Sequence, residues 1–207
     1  MCAVRETDVR ALAARLSPPP RVVILGGETL EGIYADIARV ATAIGAESEA
    51  EELSIGLRDR VLHVHTVLNR ARAQRPRVAL IEWTSPLFAA GHWGPEQVKR
   101  AGGADVLGIA GTHSVQVTLD SIRQAEPEIV LIAPCGYSLS RSAAEAARLL
   151  GDPEWSWLAG RQVWALDANG LVSRPGPRVV DGIETMARIF NPALFTSIDS
   201  RHALRIA

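Results

Sequence analysis

Glu82, Trp83, Phe88, His92 and Trp93 crowd into one stretch, Arg77 to Trp93, which reads RVALIEWTSPLFAAGHW. Val78 to Ile81 has the aliphatic, β-branched character of a buried strand. A carboxylate and the largest aromatic do not normally end such a strand unless they face something. Pro86 forbids further strand ladder, Gly91 to Gly94 is a turn carrying an imidazole and an indole, and Pro95 suits the first position of a helix. Two later stretches, Pro134-Cys135-Gly136-Tyr137-Ser138 and Ala168 to Arg178, also follow predicted strands. The last of these ends Ser173-Arg174-Pro175-Gly176-Pro177-Arg178. Together the three loops offer Trp83, Phe88, His92, Trp93, Tyr137, Arg174 and Arg178. Apolar rings with a few fixed polar groups are what a small-molecule pocket needs, and in open α/β sheets ligands lie at the carboxyl ends of the strands. Taken singly, each ring can equally pack the rim, and Arg178 can pair with an acid. It is the coincidence of three loops on one edge that favours a site.

Catalytic patterns are missing. There is no Ser-His-Asp motif, and Gly26-Gly27-Glu28 does not meet the Gly-x-Gly-x-x-Gly pattern of a phosphate loop. Cys135 has no base near it in sequence and reads as a small buried thiol. His63 and His65 stand two apart on a predicted helix, so they point to different faces and read as solvated. His92, His113 and Cys135 have metal-binding chemistry but no ligand spacing, so no metal site is expected. The expectation is a non-enzymatic protein.

The chain has 207 residues, a formal charge of -1 and 47% hydrophobic content, which suits a globular protein of one or two domains. Near-neutral charge argues against nucleic acid as a partner. No apolar run approaches the ~18 residues that span a bilayer. Cys2 and Cys135 do not make a disulfide framework. No basic region followed by a long apolar run opens the chain, so it reads as cytoplasmic as given, or as periplasmic or of the cell envelope if a leader was removed.

Several elements must position the loops. A short helix is expected over Thr7 to Leu16, capped by Thr7, with Val9, Leu12 and Leu16 on one stripe. Val22 to Leu25 reads as a short strand. Thr29 caps a helix with Leu30, Ile33, Ile37, Val40 and Ile44 on its buried face and Gly45 as its stop. A long helix follows over Glu47 to Gln74, with Leu53, Leu57, Val61, Val64, Leu68 and Ala71 in a stripe. Its acids come early and its bases late, matching the helix dipole, and it would be roughly 40 Å long. Strands at Val78 to Ile81, Val106 to Ile109, Ile129 to Ala133 and Val163 to Asp167 then alternate with helices. Those helices are Pro95 to Ala101, Leu119 to Ala125, Ser140 to Leu150, Pro153 to Leu158 and Val179 to Phe190. Alternation of this kind predicts a mostly parallel, doubly wound α/β sheet. The tail, Ala193 to Ala207, is weakly patterned and reads as loose.

Glu82-Trp83…Pro86…Gly91-His92-Trp93, with Ala101-Gly102-Gly103, Pro134-Cys135-Gly136, Ser173 to Arg178 and Asp181-Gly182, resembles the substrate-binding proteins of vitamin B12 and iron-siderophore ABC importers. The resemblance runs from about Ala3 to Pro192 and is strongest to the cobalamin-binding members. It implies a class III periplasmic-binding-protein fold: 1–46 as a reduced remnant of the N-terminal lobe, 47–75 as a connecting backbone helix, 76–192 as a Rossmann-like C-terminal lobe and 193–207 as a tail. The implied function is non-enzymatic binding of cobalamin or a related corrinoid, with no covalent cofactor and with an ABC transporter permease as a further partner. The ligand-binding residues would be Glu82, Trp83, Phe88, His92, Trp93, Cys135, Gly136, Tyr137, Ser173, Arg174 and Arg178. Trp83, Trp93 and Tyr137 would supply apolar contact, and His92, Arg174 and Arg178 would meet polar edges. The alternatives are a haem or ferric-siderophore binder on the same scaffold, and an interaction or regulatory protein without ligand.

The strand Val22 to Leu25 has no sequence-local partner, and an unpaired apolar strand recruits another chain. A two-fold homodimer through this strand and the helix after it is therefore expected. Light scattering should return a dimer mass at micromolar concentration; a monomer mass would remove the idea.

Overall fold

The computed structural model describes residues 5–195 and 198–207; Cys2 lies outside the described residues. Its centre is three adjacent parallel strands, β1 (Arg77–Thr84), β5 (Ile129–Ile132) and β6 (Gln162–Leu166). Val78 pairs with Ile129 and Ile81 with Ile132, while Ile129 pairs with Gln162 and Ile132 with Ala165. Short strands complete the sheet. β2 (Leu87–Ala89) runs antiparallel to β1, β3 (Ala104–Asp105) parallel to it, β4 (Val115–Gln116) antiparallel to β2, and β7 (Ala203–Arg205) antiparallel to β6.

Side chains of a strand alternate between the two faces of its sheet. Val78, Leu80, Ile129 and Leu131 fall on one face, with the helices α2 (Leu30–Ile44), α3 (Glu47–Arg70) and α8 (Val179–Phe190). Ala79, Ile81, Val130 and Ile132 fall on the other, with α5 (Leu119–Gln124), α6 (Leu139–Leu150) and a 3-10 helix over Pro153–Leu158. Both faces are covered, which is why these strands read as unbroken aliphatic runs. The fold is the expected α/β arrangement with a long helix.

Differences from the expected elements have local causes. Val22 to Leu25 forms no strand, and Ile24 and Leu25 are exposed. Gly26 and Gly27 donate their amides to the buried Asp36 carboxylate instead, at 3.4 and 2.8 Å. That carboxylate also pairs with Arg39. The first helix, α1, spans Glu6–Ala13 without a side-chain cap; Ala13 is buried, whereas Val9, Leu12 and Leu16 face solvent. α2 begins and ends as expected, with the Thr29 side chain accepting from Gly32 N–H, but Val40 and Ile44 are exposed. α3 buries Leu57, Val61, Val64 and Leu68, stops at Arg70, and leaves Leu53 outside. The expected second strand, Val106 to Ile109, does not form; the residues that pair are Ala104–Asp105, just ahead of it. Residues 196 and 197 of the expected tail lie outside the described residues; further on, Ala203–Arg205 adds a strand at the sheet edge, with Ala203 buried, where a loose segment was expected.

Two polar clamps hold helices to one another. From α4 (Gly94–Arg100), the buried Gln97 donates from Nε2 to the carbonyls of Leu171 and Val179 at 2.9 and 2.8 Å. These lie in α7 (Ala168–Leu171) and at the start of α8. A Cβ at Gly182 would meet Gln97 Nε2 and the Leu171 carbonyl oxygen at 2.6 Å each, so glycine is required there. From α3, Arg60 donates to Asp181 Oδ1 at 2.6 Å and to both Glu184 oxygens at 2.9 Å.

Burial pushes the Glu184 carboxyl up, but the Arg60 hydrogen bond and charge, helped by Arg188 and His63, hold it below the usual range. A folded-state pKa below the unfolded one stabilises above the ordinary glutamate range, and that contribution is lost as pH falls through the folded value. Arg60→Ala should cost about 1–2 kcal/mol at neutral pH, between the value of an exposed pair and that of a buried one. It should also flatten the acid limb of stability, checked by urea unfolding at neutral pH and at about pH 3.

Candidate functional site

The carboxyl ends of β1, β5 and β6 share one edge, so the loops after them converge. β1 does not stop at Glu82. It continues to Thr84, turns through Ser85-Pro86 and returns as β2. The register places Ile81 opposite Ala89 and Trp83 opposite Phe88, so Glu82 is the extra residue of a bulge. Bulges of this kind re-aim side chains at the rims of sites. Thr84 Oγ1 donates to Glu145 on α6, which anchors the hairpin. Arg148, hydrogen-bonded to Glu145, holds that carboxyl below its usual range, against burial and with help from Thr84.

Trp83 stands at the hairpin, 37% exposed, with its indole donating to the Ser85 carbonyl at 3.0 Å. Its ring meets Tyr137 edge-on at 5.7 Å between centroids. The Arg141 guanidinium lies 3.9 Å from the centre of the Tyr137 ring, a cation–π contact that sequence reasoning missed. The signal was there: Tyr137 and Arg141 are four apart where a helix begins. Backbone bonds tie the loops together. Cys135 N–H donates to the Glu82 carbonyl at 3.0 Å, Gly136 N–H to Ser173 Oγ at 3.1 Å, and Asn169 N–H to the Tyr137 carbonyl at 2.9 Å. Cys135 is exposed rather than the buried thiol expected. Arg174 and Arg178 are exposed, and Arg178 precedes the first turn of α8.

Trp93 and His92 take different parts. Trp93 packs half-buried against the core, its indole donating to the Val172 carbonyl at 2.6 Å. His92 has a positive φ of 52°, fixed by its N–H to the Thr112 carbonyl at 2.5 Å and by Gly111 N–H to its own carbonyl at 2.9 Å. The loop it meets is shaped by Asp105, whose Oδ1 accepts from Leu107 and Gly108 N–H at 2.9 and 2.7 Å. Burial raises the Asp105 pKa, and those two amides pull it partly back. His113 on this loop lies edge-on to His92 at 5.2 Å. His92 and His113 thus come together, without Cys135; Glu28 joins them. A hollow of about 660 Å³ lies elsewhere, at the amino end of β1, lined by Leu68, Arg72, Arg75, Lys99 and Arg100. No tryptophan, tyrosine or phenylalanine lines it, and it is not the carboxyl-edge site.

A profile of the family described as Periplasmic binding protein matches residues 7–162. The chain belongs to the periplasmic binding protein family. Members of this family bind solutes and are not catalysts. Solved structures carry the same fold. An ABC transporter substrate-binding protein from Listeria monocytogenes EGD-e is 17% identical, with a TM-score of 0.74 over 90% of this chain and 73% of that one. A periplasmic haem-binding protein from Pseudomonas aeruginosa is 21% identical, with a TM-score of 0.74 over 94% and 71%. The periplasmic vitamin B12 binding protein of Vibrio cholerae is 21% identical, with a TM-score of 0.65 over 91% and 71%. No curated protein sequence matches.

The two tryptophans should separate by experiment. Trp93→Ala, which removes a packed ring and the Val172 bond, should lower stability by about 2–3 kcal/mol. Trp83→Ala should cost at most about 1 kcal/mol. Chemical denaturation of both variants checks this.

Proposed function

We propose that this chain is a solute-binding protein of an ABC importer that holds a cobalamin or related corrinoid at the carboxyl edge of its sheet. The single observation carrying the reading is the Trp83–Tyr137 pair, backed by Arg141, with Trp83 exposed and Tyr137 half-buried where three loops meet. Flat apolar faces beside cations suit a large, rigid ring system with carboxylate, amide or phosphate edges. Glu82, Phe88, His92, Cys135, Gly136, Ser173, Arg174 and Arg178 complete the proposed lining. Trp93 acts from behind, by fixing the loop.

A second reading, a haem or ferric-siderophore binder, rests on the fold shared with the Pseudomonas haem-binding protein. Family membership favours the periplasm over the cytoplasm expected from the sequence, and a permease as macromolecular partner. No described helix is long and apolar enough to cross a membrane. The homodimer keeps a motive other than the absent strand: Leu12, Leu16, Ile24, Leu25, Val40 and Ile44 are all exposed in the N-terminal elements. A second copy covering them would remove that apolar area from water.

Visible absorbance and tryptophan fluorescence titrations with cobalamin, haem and a ferric siderophore distinguish the ligands. Cobalamin should bind with quenching of Trp83. Trp83→Ala and Tyr137→Ala should each weaken it by about 1–3 kcal/mol. Wild-type affinity in both variants would place the site elsewhere; saturable binding of haem alone would favour the second reading.

A further inference from the structure

We propose that Glu28, His92 and His113 form a site for one divalent transition-metal ion of the zinc type, separate from the aromatic pair and sharing only His92 with the proposed large-ligand lining. One ligand atom from each residue lies within 4.8 Å of the other two. A four-coordinate zinc with bonds near 2.0–2.1 Å needs its ligands about 3.4 Å apart, so the side chains close by at most ~1.4 Å. Glu28 and His113 are exposed and His92 half-buried, so two of the three can make that movement, and an ion can enter from solvent. Among the described residues no hydrogen bond or ion pair engages these three side chains. What joins the two imidazoles is an edge-on ring contact.

The backbone brings the three together by several independent means. Gly91 crosses directly against Thr112, His113 and Ser114, and a Cβ there would run into their backbones. The reciprocal bonds between His92 and the Gly111–Thr112 turn hold that crossing. Glu28 is brought from the other direction. Leu30 N–H donates to Glu96 Oε2 at 3.0 Å, which docks the start of α2 on α4, the helix that follows His92. The three ligands therefore come from three separate segments, each held by protein hydrogen bonds rather than by the ion.

Two imidazoles and one carboxylate select the metal class. Magnesium and calcium take all-oxygen sets, whereas imidazole suits zinc and its first-row neighbours. Three protein ligands leave one position of a tetrahedron open, which water would fill.

The test uses the full chain stripped of metal with a chelator. Calorimetric titration with Zn²⁺ should show one site per chain. Glu28→Gln, His92→Ala and His113→Ala should each weaken it by at least the ~10-fold that loss of even an outer-shell partner costs. His63→Ala with His65→Ala should leave it unchanged. Co²⁺ should give visible d–d absorption in the parent and lose it in His113→Ala. Thermal melts of metal-free Glu28→Gln and His113→Ala should match the parent, since both side chains are exposed. Glu28→Gln therefore carries the test if His92→Ala fails to fold. Zn²⁺ affinity unchanged in Glu28→Gln and His113→Ala, or no Zn²⁺ binding by the parent, overturns the proposal. Neither result touches the cobalamin titration, so the two readings fail separately.

Discussion

Parallel pairing of β1 with β5 and of β5 with β6 is the constraint on which everything else hangs. Each pairing is in register over four residues, from Val78–Ile129 to Ile81–Ile132 and from Ile129–Gln162 to Ile132–Ala165. A slip by one residue would turn every aliphatic side chain to the wrong face and bring polar neighbours into two cores at once. With the register fixed, the carboxyl ends of three strands must emerge side by side. Trp83 then meets Tyr137, and Gly136 meets Ser173, although these residues are far apart along the chain. The helices on one face add a second layer of specification through Gln97 and Arg60. Asp181-Gly182, adjacent in sequence, serve both: the aspartate pairs with Arg60, and the glycine leaves room for Gln97.

Much of this is legible in the residues, and the parts that are not share a cause. Aliphatic runs such as Ile129–Ile132 and amphipathic helices such as Val179–Phe190 announce themselves, because burial leaves a periodic trace. The β2 hairpin, the strand at Ala203–Arg205 and the failure of Val22 to Leu25 to pair leave no such trace. They depend on what lies beside the segment: Asp36 draws the amides of Gly26 and Gly27, and the edge of β6 accepts the tail. The carboxyl-edge loops could be foreseen as neighbours from strand order alone. That Trp93 is a packing residue while Trp83 faces outward could not, since both are tryptophans in one loop region. The decision is made by the Val172 carbonyl, contributed from nearly eighty residues away.

The same reasoning explains why histidine spacing was uninformative. Ligand spacing is readable when a site is built within one helix or one hairpin. His92 and His113 are neighbours only because Gly91 lets two backbones touch, and Glu28 joins them only because Glu96 draws in the start of α2. Family membership fits the sheet and the long helix, and it leaves ligand chemistry to the loops.

The parallel core also sets an order of assembly. Val78 and Ile129 are separated by about fifty residues, and Ile129 and Gln162 by about thirty, so the chain must close long loops before either pairing repays the entropy lost. The α2–α3 hairpin, joined at Gly45, has only near neighbours to find and can form early. Its buried faces, Leu30 and Ile33 on one helix and Val61 and Val64 on the other, then wait for the sheet. During that interval the aliphatic strands lack partners on either side. The slow step in reaching the native state is thus also the one in which two copies can pair the wrong strands, and dilution or co-translational spacing of the β1, β5 and β6 segments would govern the yield of native protein.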